Sequence, residues 1–170
     1  MSRSAEPTPH SELGNFEIKC IVAGSRGYDD YEFFSKVVFD HIEMFFKGKS
    51  FIFISGKAKT GADAMIIRFC KEYGFPWSEF PADWDDIKVE GAVVRPNKVT
   101  GKPYNIIAGH QRNRKMAIAG TDLLSFFDGS SKGTLNMIAT AKECGIENPY
   151  TIVIDVKKEP RYDREESRSR

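Results

Sequence analysis

The chain has 170 residues, enough for one domain with its own core and too few for two of ordinary size. Apolar residues make up 41% and charged residues 29%, a globular composition and not a disordered or fibrous one. Lys and Arg number 25 against 24 Asp and Glu, and the net charge of +1 argues against a nucleic-acid partner held by bulk charge. A local basic pocket remains compatible with that total.

Cys20, Cys70 and Cys144 are widely spaced, with no CxxC pair and no histidine cluster. They predict free thiols in a reducing compartment and no metal site. No stretch approaches the ~20 apolar residues that span a bilayer, so no membrane partner is expected. The N-terminus, MSRSAEPTPHSELGN, lacks the apolar run of a signal peptide, and a cytoplasmic location follows as the expectation.

Residues 1–15 contain almost no large apolar group and read as a flexible arm. Phe16 to Ala23 reads as a strand ending at Gly24. Tyr31 to Lys47 reads as a helix, because Phe34, Val37, Val38, Ile42 and Phe45 recur at helical spacing and Asp29 or Asp30 can cap its start. Ser50 to Ser55 is a short continuous apolar strand of the kind covered on both faces. Gly61 to Tyr73 is a second helix stopped at Gly74, and Trp77 to Phe80 a short third strand. An irregular basic insertion covers about 86–105. Ile107 to Ala119 is helical, Leu123 to Phe127 a buried strand, Gly133 to Cys144 a helix stopped by Gly145, and Tyr150 to Val156 the last strand. The residues from 157 onward form a charged tail. This alternation predicts an α/β, Rossmann-like three-layer sandwich with a mainly parallel sheet of about five strands.

Ligands of open α/β sheets sit at the carboxyl ends of the strands, so the loops after strands one, two and four carry the functional question. The first, Gly24-Ser25-Arg26-Gly27, offers a hydroxyl and a planar cationic fork suited to phosphate, although it is not GxGxxG. The second, Gly56-Lys57-Ala58-Lys59-Thr60-Gly61-Ala62-Asp63, begins like a P-loop but ends in Ala62-Asp63 where Lys-Ser/Thr is needed, which excludes a P-loop NTPase. Free N–H groups at the helix start still favour an anion. Thr60-x-x-Asp63 also reads as a capping box, which explains both residues without a ligand. The third, Asp128-Gly129-Ser130-Ser131-Lys132-Gly133-Thr134, leads small residues and a lysine into a helix, a suitable phosphate cradle.

Outside these loops, Arg112 and Asn113 can meet a phosphate and a base edge, or simply form a solvated helix start. Asp83, Asp85 and Asp86 lack the spacing of a calcium loop and read as turn carboxylates, so no metal is assigned. Trp84 can stack on a base or pack in the core. Of the histidines only His110 lies beside these loops, and no Ser-His-Asp arrangement exists. Catalytic residues stay unassigned.

Read together, VAGSRGYDD, SGKAKTGAD, FPADWDD, HQRNRKM and SFFDGSSKGT resemble the YspA-like branch of the SLOG superfamily across roughly Ile18 to Ile154. That superfamily includes DNA-processing protein A and the lysine-decarboxylase-like phosphoribohydrolases. The resemblance implies a nucleotide-type ligand at the strand ends. It implies a pocket lined by Gly24, Ser25, Arg26, Gly56, Gly61, Ala62, Asp63, Arg112, Asn113, Gly133 and Thr134. Ser130, Lys57, Lys132, Asp83 and Trp84 join the candidate set from the residues themselves. One departure matters: the glutamate that follows the glycine loop in the phosphoribohydrolases is missing, and Asn136 and Met137 stand there instead. Whether the chain is an enzyme is therefore left open.

The leading expectation is a sensor or sequestering protein for a phosphorylated nucleotide derivative, ADP-ribose-like or cyclic, in a bacterial or phage setting and without a cofactor. A hydrolase cleaving an N-glycosidic bond is the alternative, and a single-strand nucleic-acid binder the third. Phe33, Phe34, Phe39, Met44, Phe45 and Phe46 crowd the first helix on more than one side, which points to a homo-oligomer.

Overall fold

The computed structural model describes residues 5–157. The charged tail from residue 158 on, and the first four residues of the predicted arm, lie outside the described residues. Five strands form one sheet: β1 (Ile18–Gly24), β2 (Phe51–Ser55), β3 (Trp77–Glu79), β6 (Asp122–Phe127) and β7 (Thr151–Asp155). Their order is β3-β2-β1-β6-β7, and every pair is parallel. The expected α/β sandwich is thus present. Between β3 and β6 a separate two-stranded antiparallel ribbon, β4 (Val94–Pro96) with β5 (Pro103–Asn105), lies within the predicted insertion.

Strand residues alternate between two cores, as the pleat requires. Cys20 and Val22 of β1 face one layer with Phe53, Leu124 and Phe126, covered by Phe34, Val38, Ile66 and Phe69. Ile21 and Ala23 face the other with Ile52, Ile54 and Leu123, covered by Met116, Ala117, Met137 and Ala141. The first layer is built by α1 (Tyr31–His41) and α2 (Gly61–Tyr73), the second by α3 (Ala108–Ala119) and α4 (Lys132–Glu143). Burial on both faces explains why β2 reads as an unbroken apolar run and not an alternating one.

Asp30 starts α1 by accepting the Phe33 N–H at 3.1 Å. The predicted single helix to Lys47 is in fact α1 followed by a π turn over Ile42–Phe46. That turn buries Phe46 and leaves Met44 and Phe45 exposed. At the end of α2, Gly74 takes a left-handed conformation with φ of 76°, and its N–H donates to Cys70 O at 2.9 Å.

The predicted arm requires correction from Thr8 onward. Thr8 N–H donates to Trp77 O at 2.7 Å, and Ser78 Oγ donates to Thr8 O at 2.9 Å. His10 stacks on Phe80 at 3.9 Å, and Leu13 is buried within a 3-10 turn, His10–Asn15. A segment too polar to make a core of its own instead covers the free edge of β3, whose backbone groups would otherwise be unpaired.

Candidate functional site

The parallel register brings the carboxyl ends of the central strands to one edge. Gly24 lies opposite Phe126, and Val22 opposite Ser55. The three glycine-bearing loops therefore meet although they lie far apart in the chain. Gly24 and Gly61 permit that meeting at close range. A methyl on Gly24 would sit 2.6 Å from Phe126 O, and one on Gly61 would sit 2.5 Å from Ser25 O. Ala62 is fully buried, and its Cβ would lie 2.9 Å from that Gly24 methyl. Gly61 and Ala62 thus act as the packing joint between loops one and two, and neither lines the two cavities at this edge.

Above this joint lies a cavity of about 310 Å³. Its floor is apolar, from Ala23, Met116 and Met137, and its rim carries Gly24, Ser25, Arg26, Asp63, Arg112, Asn113, Gly133 and Thr134. Trp84 stands at its mouth, 38% exposed, so it is not a core residue. The ring reaches over the start of α3, where a methyl on Gly109 would lie 3.3 Å from Trp84 Cη2.

Arg112 is the most constrained cation. Its Nη1 donates to Gly56 O and its Nε donates to Asn113 Oδ1 at 3.0 Å, so both loop two and its own helix fix the guanidinium. Burial pulls its pKa down, Asp63 opposes that, and Arg26 adds to it, but a guanidinium stays charged at any ordinary pH. Asp63 is buried at 9% exposure, and its Oδ2 accepts the Ala58 N–H at 3.1 Å. Burial pushes its carboxyl up, against Arg112, the Ala58 N–H and Arg26. Among the described residues neither Arg26 nor Arg112 forms an ion pair.

The capping box expected at Thr60 and Asp63 is not formed. Thr60 precedes α2 without a side-chain bond to it, because Asp63 turns back to loop two. Loop two is held instead by Ser55, whose Oγ donates to Asp63 O at 2.8 Å and accepts Lys57 N–H at 3.1 Å. Lys57 pays the local cost, with a left-handed φ of 55° unusual for a non-glycine residue.

The third loop also differs from an open cradle. Asp128 Oδ1 accepts the Ser130 and Ser131 N–H groups, each at 2.9 Å. Those two bonds are the main reason its carboxyl lies below the usual range. Ser131 caps α4 by accepting the Thr134 N–H at 3.4 Å. Ser130 and Lys132 line neither this cavity nor its neighbour, whereas Ser131 and Asp128 do line it. Asn113 reaches the rim, but its Nδ2 donates to Asn136 Oδ1 at 2.9 Å, tying α3 to α4. Asp83 lines a different hollow with His10 and Phe80. Gly56 and Lys57 line the adjoining cavity.

One residue absent from the sequence candidates supports the site from behind. Asn105 is fully buried: its N–H donates to Trp84 O at 2.8 Å, and its Oδ1 accepts Val93 and Ile107 N–H groups at 3.2 and 3.3 Å. Its Nδ2 donates to Gln111 Oε1 at 2.7 Å. One residue, through its backbone N–H and its side-chain amide, thus ties the Trp84 loop, the ribbon and α3 into a rim. The signal was an asparagine ending a short strand, which sequence alone does not separate from a turn residue.

No protein-family profile matches the chain, and neither the curated proteins nor the solved structures give a significant match. The class the fold defines is a Rossmann-like α/β domain with a cavity at the carboxyl edge of its sheet. No helix among the described residues is long and apolar enough to cross a membrane.

Proposed function

We propose that this chain binds a phosphorylated nucleotide derivative at the carboxyl edge of its sheet, as a sensor or sequestering protein of the YspA-like SLOG type. The observation that carries the reading is the convergence of Arg26 and Arg112, without an ion-pair partner, on one apolar-floored cavity. The two guanidiniums repel one another, Asp63 beside them offsets part of that charge, and a bound anion would offset more. Trp84 and the methionine floor suit a base and sugar, and the guanidiniums suit phosphate. ADP-ribose-like and cyclic nucleotides fall within this class, and a bacterial or phage defence setting fits it. Titration calorimetry against a nucleotide panel tests the reading. Saturable binding lost in Arg26→Ala is expected, and no binding by any nucleotide would refute it. A homo-oligomer is part of the same proposal, since Phe33, Phe39, Met44 and Phe45 remain partly exposed along the first helix and its π turn.

One observation favours a hydrolytic second reading. Of the carboxylates, Asp63 is both in the cavity and pushed toward its protonated form, as a general acid needs. Asp128 is held ionised by its N–H partners, and Asp83 faces elsewhere. Free base released from nucleoside monophosphates, and absent with Asp63→Asn, is the expected result. Intact nucleotide after prolonged incubation would rule this reading out.

A further inference from the structure

The cavity has a neighbour. A second one, of about 470 Å³, opens on the far side of Arg26, Ala58, Trp84 and Arg112, and those four residues line both. The pair forms a two-lobed trough whose waist is two guanidiniums and an indole. The lobes differ in chemistry. The first has the methionine floor and a rim of hydrogen-bonding groups. The second is walled by loop two and by Pro81 and Ala82, and it holds Lys57, Lys59 and the uncapping hydroxyl of Thr60. Lys57 is paired with Glu79 at 2.7 Å, while Lys59 forms no ion pair among the described residues.

Donor supply runs the same way. Around the first lobe, the Ser130, Ser131 and Thr134 N–H groups already have oxygen acceptors from their own loop. A phosphate placed there would compete with Asp128 for two of them. Around the second lobe, Thr60 makes no side-chain cap bond to α2 and Lys59 is exposed, while Gly61 and Ala62 do not line the lobe. The exposed Lys59 and the Thr60 hydroxyl, beside the shared guanidiniums, make the second lobe the better place for terminal charge.

We propose that the trough takes a nucleotide bearing two or more linked phosphates. Its nucleoside occupies the first lobe, its inner phosphates the Arg26–Arg112 waist, and its terminal phosphate the second lobe. This rests on the nucleotide reading above and goes beyond it by fixing the ligand's class and its direction.

The test is calorimetry with AMP, ADP and ATP, and with the guanosine series, in EDTA. Two variants are added: Lys59→Ala, an exposed side chain, and Ala82→Phe, which adds bulk to a wall of the second lobe and to none of the first. The expected result is binding of the diphosphate at least tenfold tighter than the monophosphate in the native chain. Both variants should erase most of that gain and leave monophosphate affinity within about twofold. Equal affinity for mono- and diphosphate in the native chain would overturn the inference and leave the nucleotide reading standing. So would variants that weaken mono- and diphosphate alike. No binding by any nucleotide would remove both.

Discussion

Gly61 and Gly74 bracket the same helix and share a left-handed backbone, with φ of 73° and 76°. They differ in what surrounds them. A methyl at Gly74 meets nothing within 4 Å, whereas one at Gly61 lies 2.5 Å from Ser25 O and 2.9 Å from Arg26 Cα. Both substitutions to alanine incur the left-handed penalty of about 1–2 kcal/mol. Only Gly61→Ala adds a clash with main-chain atoms, which no rotamer change can relieve. Overpacking of that kind costs a further ~1–3 kcal/mol. Gly61→Ala should therefore destabilise by roughly 2–5 kcal/mol and Gly74→Ala by roughly 1–2, the difference reporting the contact between loops one and two. Urea unfolding followed by tryptophan fluorescence measures both, with unchanged slopes expected. Equal midpoints for the two variants would refute the account of Gly61 as a packing joint. Any nucleotide affinity should also fall in Gly61→Ala alone, because the displaced loop carries Ser25 and Arg26.

Three further outcomes are expected. His41 is buried, its Nε2 has no partner, and burial lowers its pKa from 6.5 to about 4. The unfolded chain therefore binds a proton that the folded chain refuses, and stability present above pH 6.5 is lost between there and about pH 4. That loss is on the order of 3 kcal/mol, and denaturation across this range should show a shallower slope in His41→Phe; an unchanged slope would count against it. Asn105→Ala leaves the Val93 and Ile107 N–H groups and Gln111 without their partner, at about 1–3 kcal/mol for each buried group that water does not reach. Hydrogen exchange should speed up across residues 84–107 and stay unchanged in β1. Ser131→Ala removes a true cap and should cost about 1 kcal/mol, while Thr60→Ala removes none and should stay within about 0.5. Equal losses would restore the capping box at α2.

The layered fold is legible because its signals are local. β2 is an uninterrupted apolar run, and Gly74 and Gly145 both take the positive φ that ends a helix. Loop positions follow from topology, so the meeting of Arg26, Asp63 and Arg112 is also within reach of the sequence. What is hidden depends on which partner a polar group chooses. Thr60-x-x-Asp63 spells a capping box, but the carboxylate finds Ala58 N–H closer to hand. Asp128 looks like one member of an open cradle and in fact fills it. Composition assigns residues 1–15 to an arm because only Leu13 is large and aliphatic after Met1; one backbone bond, one Ser78 hydroxyl bond and one stacked imidazole dock it from Thr8 on. Asn105 is invisible for the same reason, since its four bonds join segments that only the folded chain brings together.

The register that sets Gly24 beside Phe126 has a thermodynamic consequence. Residues near positions 25, 60, 112 and 130 line two adjoining cavities, so no fragment of the chain holds the site, and the unfolded chain has no version of it. A ligand at that site binds the native state alone, and its free energy passes whole into the folding equilibrium. At a hundred times its dissociation constant, it adds about 2.7 kcal/mol to the stability of the entire domain. The melting temperature is thus a direct reporter on whatever occupies the sheet edge, whether or not that molecule is turned over.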